Sequence, residues 1–119
     1  MKIDNRKYSL LNNVQNFVKY IGGVISPKIP ANKRDLRIRL MDDVYELLSL
    51  TYLSFYHSGK ERIKYLIDIK AKVSMLEFLF GLLKDYNIIN NKVFEKSISD
   101  ITMIRNFVYG WGISEEKKN

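Results

Sequence analysis

Hydrophobic residues recur along this chain at intervals of three and four, the spacing that places side chains on one face of an α-helix. The first stripe consists of Leu10, Val14, Phe17, Ile21 and Val24. No stretch shows the regular alternation of apolar and polar residues that a half-buried strand requires. The chain is therefore predicted to fold as an all-α protein.

Residues that stop or start helices separate four such stripes. Pro27 and Pro30 disfavour helical conformation in the residues before them, and Asn32 is expected to cap the second helix. Ser58 precedes Glu61 by three residues, which is the capping-box spacing that opens a helix. The predicted helices span about residues 4–25, 33–58, 60–86 and 92–112, with a polar tail at 113–119.

The connections between these helices are short, so consecutive helices are expected to run antiparallel. A chain of 119 residues fits a single domain, and we predict an up-down-up-down four-helix bundle over residues 1–119. The sequence contains no cysteine, which excludes a disulfide scaffold and a cysteine-ligated zinc site. No apolar run is long enough for a membrane span and no signal-peptide pattern is visible, so we expect a cytoplasmic location.

Two of the predicted helices carry apolar residues outside the stripe that a bundle core needs. An apolar patch of this size tends to be covered by a partner, and we interpret it as an interface between copies of the chain. The alternative is a wide core stripe with a few exposed tyrosines. The predicted interface residues are Ile38, Tyr45, Tyr52 and Tyr56 on the second helix, and Ile67, Met75 and Phe78 on the third.

No group of residues indicates catalysis, a metal site or a cofactor. The single histidine, His57, has no partnered nucleophile, and a capping or surface role at the end of the second helix is expected for it. Asp42, Asp43 and Glu46 lack the Glu-x-x-His pair of di-iron bundles and are interpreted as a solvated acidic face. We therefore predict that the protein is not an enzyme and holds neither metal nor cofactor.

The formal charge of +7 is concentrated in two segments. Residues 28–39 have a net charge of +4, residues 60–72 have +3, and the remaining basic and acidic residues cancel. The two segments lie at opposite ends of a helical hairpin and form separate patches within one copy of the chain. Such patches attract nucleic-acid phosphates, although basic residues that merely solvate a helix face give the same pattern.

The predicted phosphate contacts are Lys28, Lys33, Arg34, Arg37 and Arg39 in the first segment, and Lys60, Arg62, Lys64, Lys70 and Lys72 in the second. Among these residues, Arg34 is expected to contribute most to phosphate binding. Tyr65 lies among the cations of the second segment and is a candidate for stacking on a base.

The layout resembles one known family over roughly residues 10–112. The most specific features are Pro30 with Arg34 four residues later, the segment 65–83 followed by the residues Asn-Ile-Ile-Asn at 87–90, and the segment 104–111 that ends in Gly-Trp. These features are similar to the accessory variability determinant (Avd) proteins of diversity-generating retroelements. That family is related in fold to small proteins encoded in intervening sequences of bacterial large-subunit rRNA genes.

The resemblance implies a basic, ring-shaped homopentamer of four-helix bundles without catalytic activity. It further implies binding to RNA or DNA and to a reverse transcriptase, in support of mutagenic copying of a template RNA into cDNA. This chain has Glu77 and Gly81 where family members often have arginines. The alternative function is that of a helical interaction or scaffold protein, similar to the intervening-sequence proteins, that has no reverse-transcriptase partner.

Overall fold

The computed structural model describes residues 5–118, with side chains from residue 8 onward, and residues 1–4 and 119 lie outside this range. The described residues are almost entirely helical and include no strand, so the prediction of an all-α chain with four helices is confirmed. The expected start of the first helix at residue 4 lies outside the described residues. The four helices are α1 (Asn5–Tyr20), α2 (Arg34–Tyr56), α3 (Gly59–Asp85) and α4 (Asn91–Lys117).

The helices form a bundle in which each one packs against two others. α1 contacts α2 and α4, and α3 contacts α2 and α4, which is the arrangement of an up-down-up-down bundle. The molecule measures 49 × 23 × 19 Å, with the helices along its long axis. We call the end that holds segments 19–37 and 84–100 the loop end, and the end that holds segments 56–64 and 114–118 the hairpin end.

A single apolar core runs the length of the bundle. Phe17 of α1 and Phe80 of α3 meet edge to face, with ring centroids 5.9 Å apart, and Trp111 of α4 is fully buried. The predicted stripe of α1 is confirmed at Leu10, Val14, Phe17 and Ile21. The other largest core residues are Ile25, Leu40, Leu47, Leu66, Ile69, Leu76 and Leu83.

The prediction that Val24 completes the first stripe is wrong. Residues Ile21–Ile25 form a turn of π-helix, in which the N–H of Ser26 donates to the carbonyl of Ile21. This wider turn holds one more residue than an α-helical turn, so Ile25 takes the core position and Val24 is exposed.

The caps predicted for α2 and α3 do not form. α2 follows a turn of 3-10 helix at Ala31–Lys33 that already orients the chain, and neither Asn32 nor another side chain caps it. Ser58 precedes α3 in extended conformation without a side-chain cap, and the N–H of Gly59, the first residue of α3, donates to a carboxylate of α4 instead. At α4, by contrast, the Asn90 side chain accepts a hydrogen bond from the Val93 N–H at 2.9 Å.

The predicted polar tail at 113–119 is wrong for residues 113–117, which continue α4 to Lys117. Glu115 is buried there and accepts a hydrogen bond from the N–H of Gly59 at 2.6 Å. This contact fixes the last turn of α4 against the first turn of α3. The signal was present in the sequence, since Val108, Trp111 and Glu115 continue the spacing of three and four.

Candidate nucleic-acid interface

The loop end holds four of the ten cations predicted to contact phosphates. Lys28 and Lys33 lie in the connection between α1 and α2, and Arg34 and Arg37 lie in the first turn of α2. Lys28 and Arg34 are exposed, whereas Lys33 and Arg37 are half-buried. Among residues 8–118, no carboxylate forms an ion pair with any of the four. Their charges are therefore available to a ligand.

The α3–α4 connection brings further cations to the same end. Lys33 Nζ lies 4.4 Å from the centre of the Tyr86 ring, and Lys96 Nζ lies 4.4 Å from that of Tyr20. Segments 19–37 and 84–100 together hold eight basic and four acidic residues. Four of these basic residues lie outside the two charged segments of the sequence: Lys19, Lys84, Lys92 and Lys96. The bundle topology would have found them, because the end of α3 must lie beside the start of α2.

Arg39 and Lys72 are engaged with acidic residues between α2 and α3. Arg39 Nε donates to Asp43 Oδ2 at 2.9 Å, and Lys72 Nζ lies 3.1 Å from Asp43 Oδ1 and 3.1 Å from Glu46 Oε2. The expectation of a solvated acidic face is wrong for Asp43, which is buried because it lies on the side of α2 that faces α3. Asp42 and Glu46 are exposed, as expected.

This network perturbs the Lys72 ammonium. Burial by itself would lower the pKa of Lys72, but its hydrogen bonds to Glu46 and Asp43 and the charges of these carboxylates raise that pKa above its ordinary value. Lys72 therefore serves the packing of α2 on α3. We leave it and Arg39 out of the surface that faces a ligand.

Arg62 is enclosed, with only 11% of its side chain exposed. Its Nη1 donates to Glu115 Oε2 at 2.9 Å, and its Nε donates to the Ser54 carbonyl at 2.8 Å. The guanidinium also lies over the Trp111 ring, 4.7 Å from its centre. Arg62 thus ties the end of α2 and the start of α3 to α4, and we leave it out of the ligand surface as well.

Glu115 is the buried anion of this cluster, with 4% of its side chain exposed. Burial alone would raise the pKa of Glu115, but the hydrogen bonds from the Gly59 N–H and Arg62 and the charges of Arg62 and Lys118 lower it below the ordinary value of 4.5. The carboxylate accordingly stays ionised at neutral pH. It caps α3 from another helix, where the N-terminus favours a negative charge.

The three remaining predicted contacts, Lys60, Lys64 and Lys70, are exposed. Lys70 Nζ lies 5.6 Å from the centre of the Tyr109 ring, in a groove between α3 and α4. A role for these lysines in binding phosphates stays a prediction. Tyr65 is half-buried, and its ring lies against that of His57 with centroids 5.1 Å apart. Stacking of Tyr65 on a base stays a prediction.

His57 lies at the end of α2, where its Nδ1 is 2.7 Å from the Leu53 carbonyl and its Nε2 is 3.4 Å from Glu61. These contacts agree with the expected capping role. Within residues 5–118 there is no group of three acidic or histidine side chains placed to hold a metal ion. No helix in the same part of the chain combines the length and the hydropathy needed to cross a bilayer.

The predicted interface residues divide into two faces. Ile38, Tyr45 and Tyr56 are exposed on α2, and Ile67 and Phe78 are exposed on α3. The α2 stripe turns towards α1, where Tyr52 is half-buried and accepts a hydrogen bond from Gln15. The α3 stripe turns towards α4, since Ile67 lines a groove with Tyr109 and Ile113.

Met75 is the member of the predicted interface that packs inward, against the core. The exposed members of the set form two apolar surfaces that point in different directions from the bundle.

Comparison with known proteins adds no further constraint on the site, since no family model, curated protein or solved structure matches this chain.

Proposed function

We propose that this protein is a non-catalytic, oligomeric accessory protein that binds the phosphate backbone of nucleic acid through its loop end. The observation that carries the proposal is the set of cations Lys28, Lys33, Arg34 and Arg37, which no described carboxylate neutralises. An unpaired cation can release the counterions of a phosphate without first breaking an ion pair of its own. This distinguishes the four from Arg39, Arg62 and Lys72. Lys60, Lys64 and Lys70 are exposed and likewise form no ion pair within residues 8–118. We place the nucleic acid at the loop end because four more cations gather there, Lys19, Lys84, Lys92 and Lys96.

The biological role that we propose follows the family resemblance. In this role the protein associates with a retroelement reverse transcriptase in the cytoplasm and supports the mutagenic copying of template RNA into cDNA. Its ligand is then RNA, DNA or both. The family resemblance is the reason for proposing a reverse-transcriptase partner. The basic loop end is the reason for proposing a nucleic-acid ligand.

We further propose that copies of the chain assemble into a ring, a pentamer as in the family that it resembles. Two apolar faces that point in different directions favour head-to-tail contacts, in which the α2 face of one copy meets the α3 face of the next. Sedimentation at micromolar concentration should give a mass several times the 14.0 kDa of one chain. Phe78→Glu should dissociate the assembly while Met103→Glu, an exposed control on α4, should not, and a monomeric parent protein would contradict the ring.

The binding proposal is tested by titrating labelled generic RNA and DNA with the full-length protein at increasing salt. At about 50 mM salt we expect binding, and affinity should fall steeply with salt because several counterions are released. Reversing two charges, with Arg34→Glu and Arg37→Glu, should weaken binding at least about tenfold without loss of helicity. The matched control is the pair Lys60→Glu and Lys64→Glu at the hairpin end.

The exposed tyrosines Tyr45 and Tyr56 favour a second candidate, a scaffold that binds only protein. In that case the basic residues keep the protein in solution. Absence of binding to RNA and DNA at about 50 mM salt would contradict the nucleic-acid-binding function and favour the protein scaffold.

A further inference from the structure

Tyr86 presents an aromatic ring within the basic surface of the loop end. Half of this residue is exposed, and Lys33 Nζ lies 4.4 Å from the ring centre. No second ring or cation of the described residues lies against it. The ring is thus in contact with a cation of the patch, while half of the residue's surface is accessible to solvent.

The backbone that carries Tyr86 is held by a dense set of hydrogen bonds. The Tyr86 N–H donates to the Leu82 carbonyl at 2.9 Å, and the Ile88 N–H donates to the Leu83 carbonyl at 2.9 Å. Asn87 takes the left-handed conformation, with φ of 59°, that ends many helices. Ile89 is buried in the core and anchors the far side of the turn. The ring is therefore presented from a fixed position, which reduces the entropy lost when a ligand binds.

The other two aromatic residues that carry a cation at this end differ from Tyr86. Tyr20 beneath Lys96 and Phe94 beneath Lys84 are partly buried and pack against the core. Their rings support the bundle and have no open face of comparable size. Tyr86 is the ring at the loop end that a flat ligand can reach.

The charges around Tyr86 favour an anionic ligand. Arg34 follows Lys33 in sequence, Lys84 precedes the ring by two residues, and both side chains are exposed. The acidic residues nearest in sequence are Asp35 and Asp85, both exposed as well. A stacking ring among unpaired cations is the combination that binds a base together with its flanking phosphates.

Resting on the function proposed above, we propose that Tyr86 stacks on an unpaired base and that the ligand of the loop end is single-stranded nucleic acid. In a duplex each base face is covered by its neighbours, so the ring finds no partner, whereas the cations still reach the phosphates. Stacking does not depend on base identity, and both RNA and DNA strands qualify. Tyr86 then gives the protein its preference for single strands over duplexes. Lys33 and Arg34 contribute to the binding of both ligands.

The test uses the full-length protein and three fluorescent probes of about 20 units, an oligo-U RNA, an oligo-dT DNA and a DNA duplex. Tyr86→Ala should weaken binding to the single strands on the order of tenfold and leave the duplex within about twofold. Its slope of affinity against salt should not change, because no phosphate contact is lost.

Three further variants separate stacking from a structural role. Tyr86→Phe keeps the ring and should bind like the parent protein, whereas Tyr86→Leu keeps apolar bulk without a flat ring and should match Tyr86→Ala. Tyr109→Ala is the control, since Tyr109 is also exposed and has Lys70 at 5.6 Å from its ring centre. It should leave single-strand binding unchanged. Circular dichroism checks that each variant keeps its helices.

The outcomes distinguish this inference from the function on which it rests. If no probe binds at about 50 mM salt, the proposed function fails and the inference fails with it. If all probes bind and charge reversal at Arg34 and Arg37 weakens them, but Tyr86→Ala changes nothing, the function stands and the inference is overturned. Equal losses for single strands and duplex in Tyr86→Ala would also overturn it.

Discussion

Lys28 and Arg34 at the loop end use their charges differently from Arg62 at the hairpin end. At the loop end Lys28 and Arg34 extend into solvent, and no described carboxylate neutralises them. At the hairpin end Arg62 is enclosed between Glu115, the Ser54 carbonyl and the Trp111 ring. Local charge density therefore does not identify a binding surface. What matters is whether the fold itself supplies the counter-charge.

The largest effect that this comparison predicts is the loss of stability when the buried carboxylate is neutralised. Glu115→Gln leaves the enclosed Arg62 charge uncompensated and should lower the free energy of unfolding by about 3 kcal/mol, measured by chemical denaturation. Glu116→Gln is the matched control, because Glu116 is the exposed neighbour, and it should change stability by less than about 0.5 kcal/mol. A loss below about 1 kcal/mol in Glu115→Gln would break the comparison.

A smaller loss is expected in the middle of the bundle, where Asp43 joins α2 to α3. Asp43→Asn removes the negative charge that Lys72 and Arg39 share and should cost about 2 kcal/mol of unfolding free energy. Asp42→Asn, at the exposed adjacent position, should cost less than about 0.5 kcal/mol. Equal values for the two variants would show that the buried network contributes nothing beyond a surface charge.

Lowering the pH should reproduce part of the loss of stability expected for Glu115→Gln. Because the pKa of Glu115 is lowered in the folded protein, its contribution is complete above the ordinary value of 4.5 and is lost as the pH falls from there through the folded pKa. Gly59, Arg62 and Lys118 are the groups that hold the ionised form. In denaturation series below pH 5, stability should fall less steeply in Glu115→Gln than in the parent protein. Parallel curves would contradict the assignment.

The sequence predicted the architecture because periodicity and helix breakers are local signals. The stripe from Leu10 to Ile21 and the boundaries of α2 and α3 needed no knowledge of partners in space. Val24 was misplaced because a π turn changes the register without any change in composition. At the start of α3 the sequence favours a cap by Ser58, but it does not show that Glu115, 57 residues further along, accepts from the Gly59 N–H there.

The candidate site was predicted only in part, for the same reason. A charged side chain looks identical in sequence whether it faces solvent or an acid on another helix, so the sequence alone does not separate Arg62 and Lys72 from Lys28 and Arg34. The contribution of Lys84, Lys92 and Tyr86 to the loop end depends on the pairing of two connections across the bundle. Once the antiparallel order of helices is known, that pairing follows.

The most direct test of the account is the salt dependence of nucleic-acid affinity for two neutralised variants, one at each end. Neutralisation in place of charge reversal keeps the effect on folding small, below about 0.5 kcal/mol for the exposed Arg34, Lys60 and Lys64 and about 1 kcal/mol for the half-buried Arg37. The pair Arg34→Ala and Arg37→Ala should reduce the slope of log affinity against log salt by about two, one for each lost phosphate contact. The pair Lys60→Ala and Lys64→Ala should leave the slope unchanged. The opposite assignment, with the slope reduced only by the hairpin-end pair, would contradict the central claim that the loop end is the nucleic-acid interface.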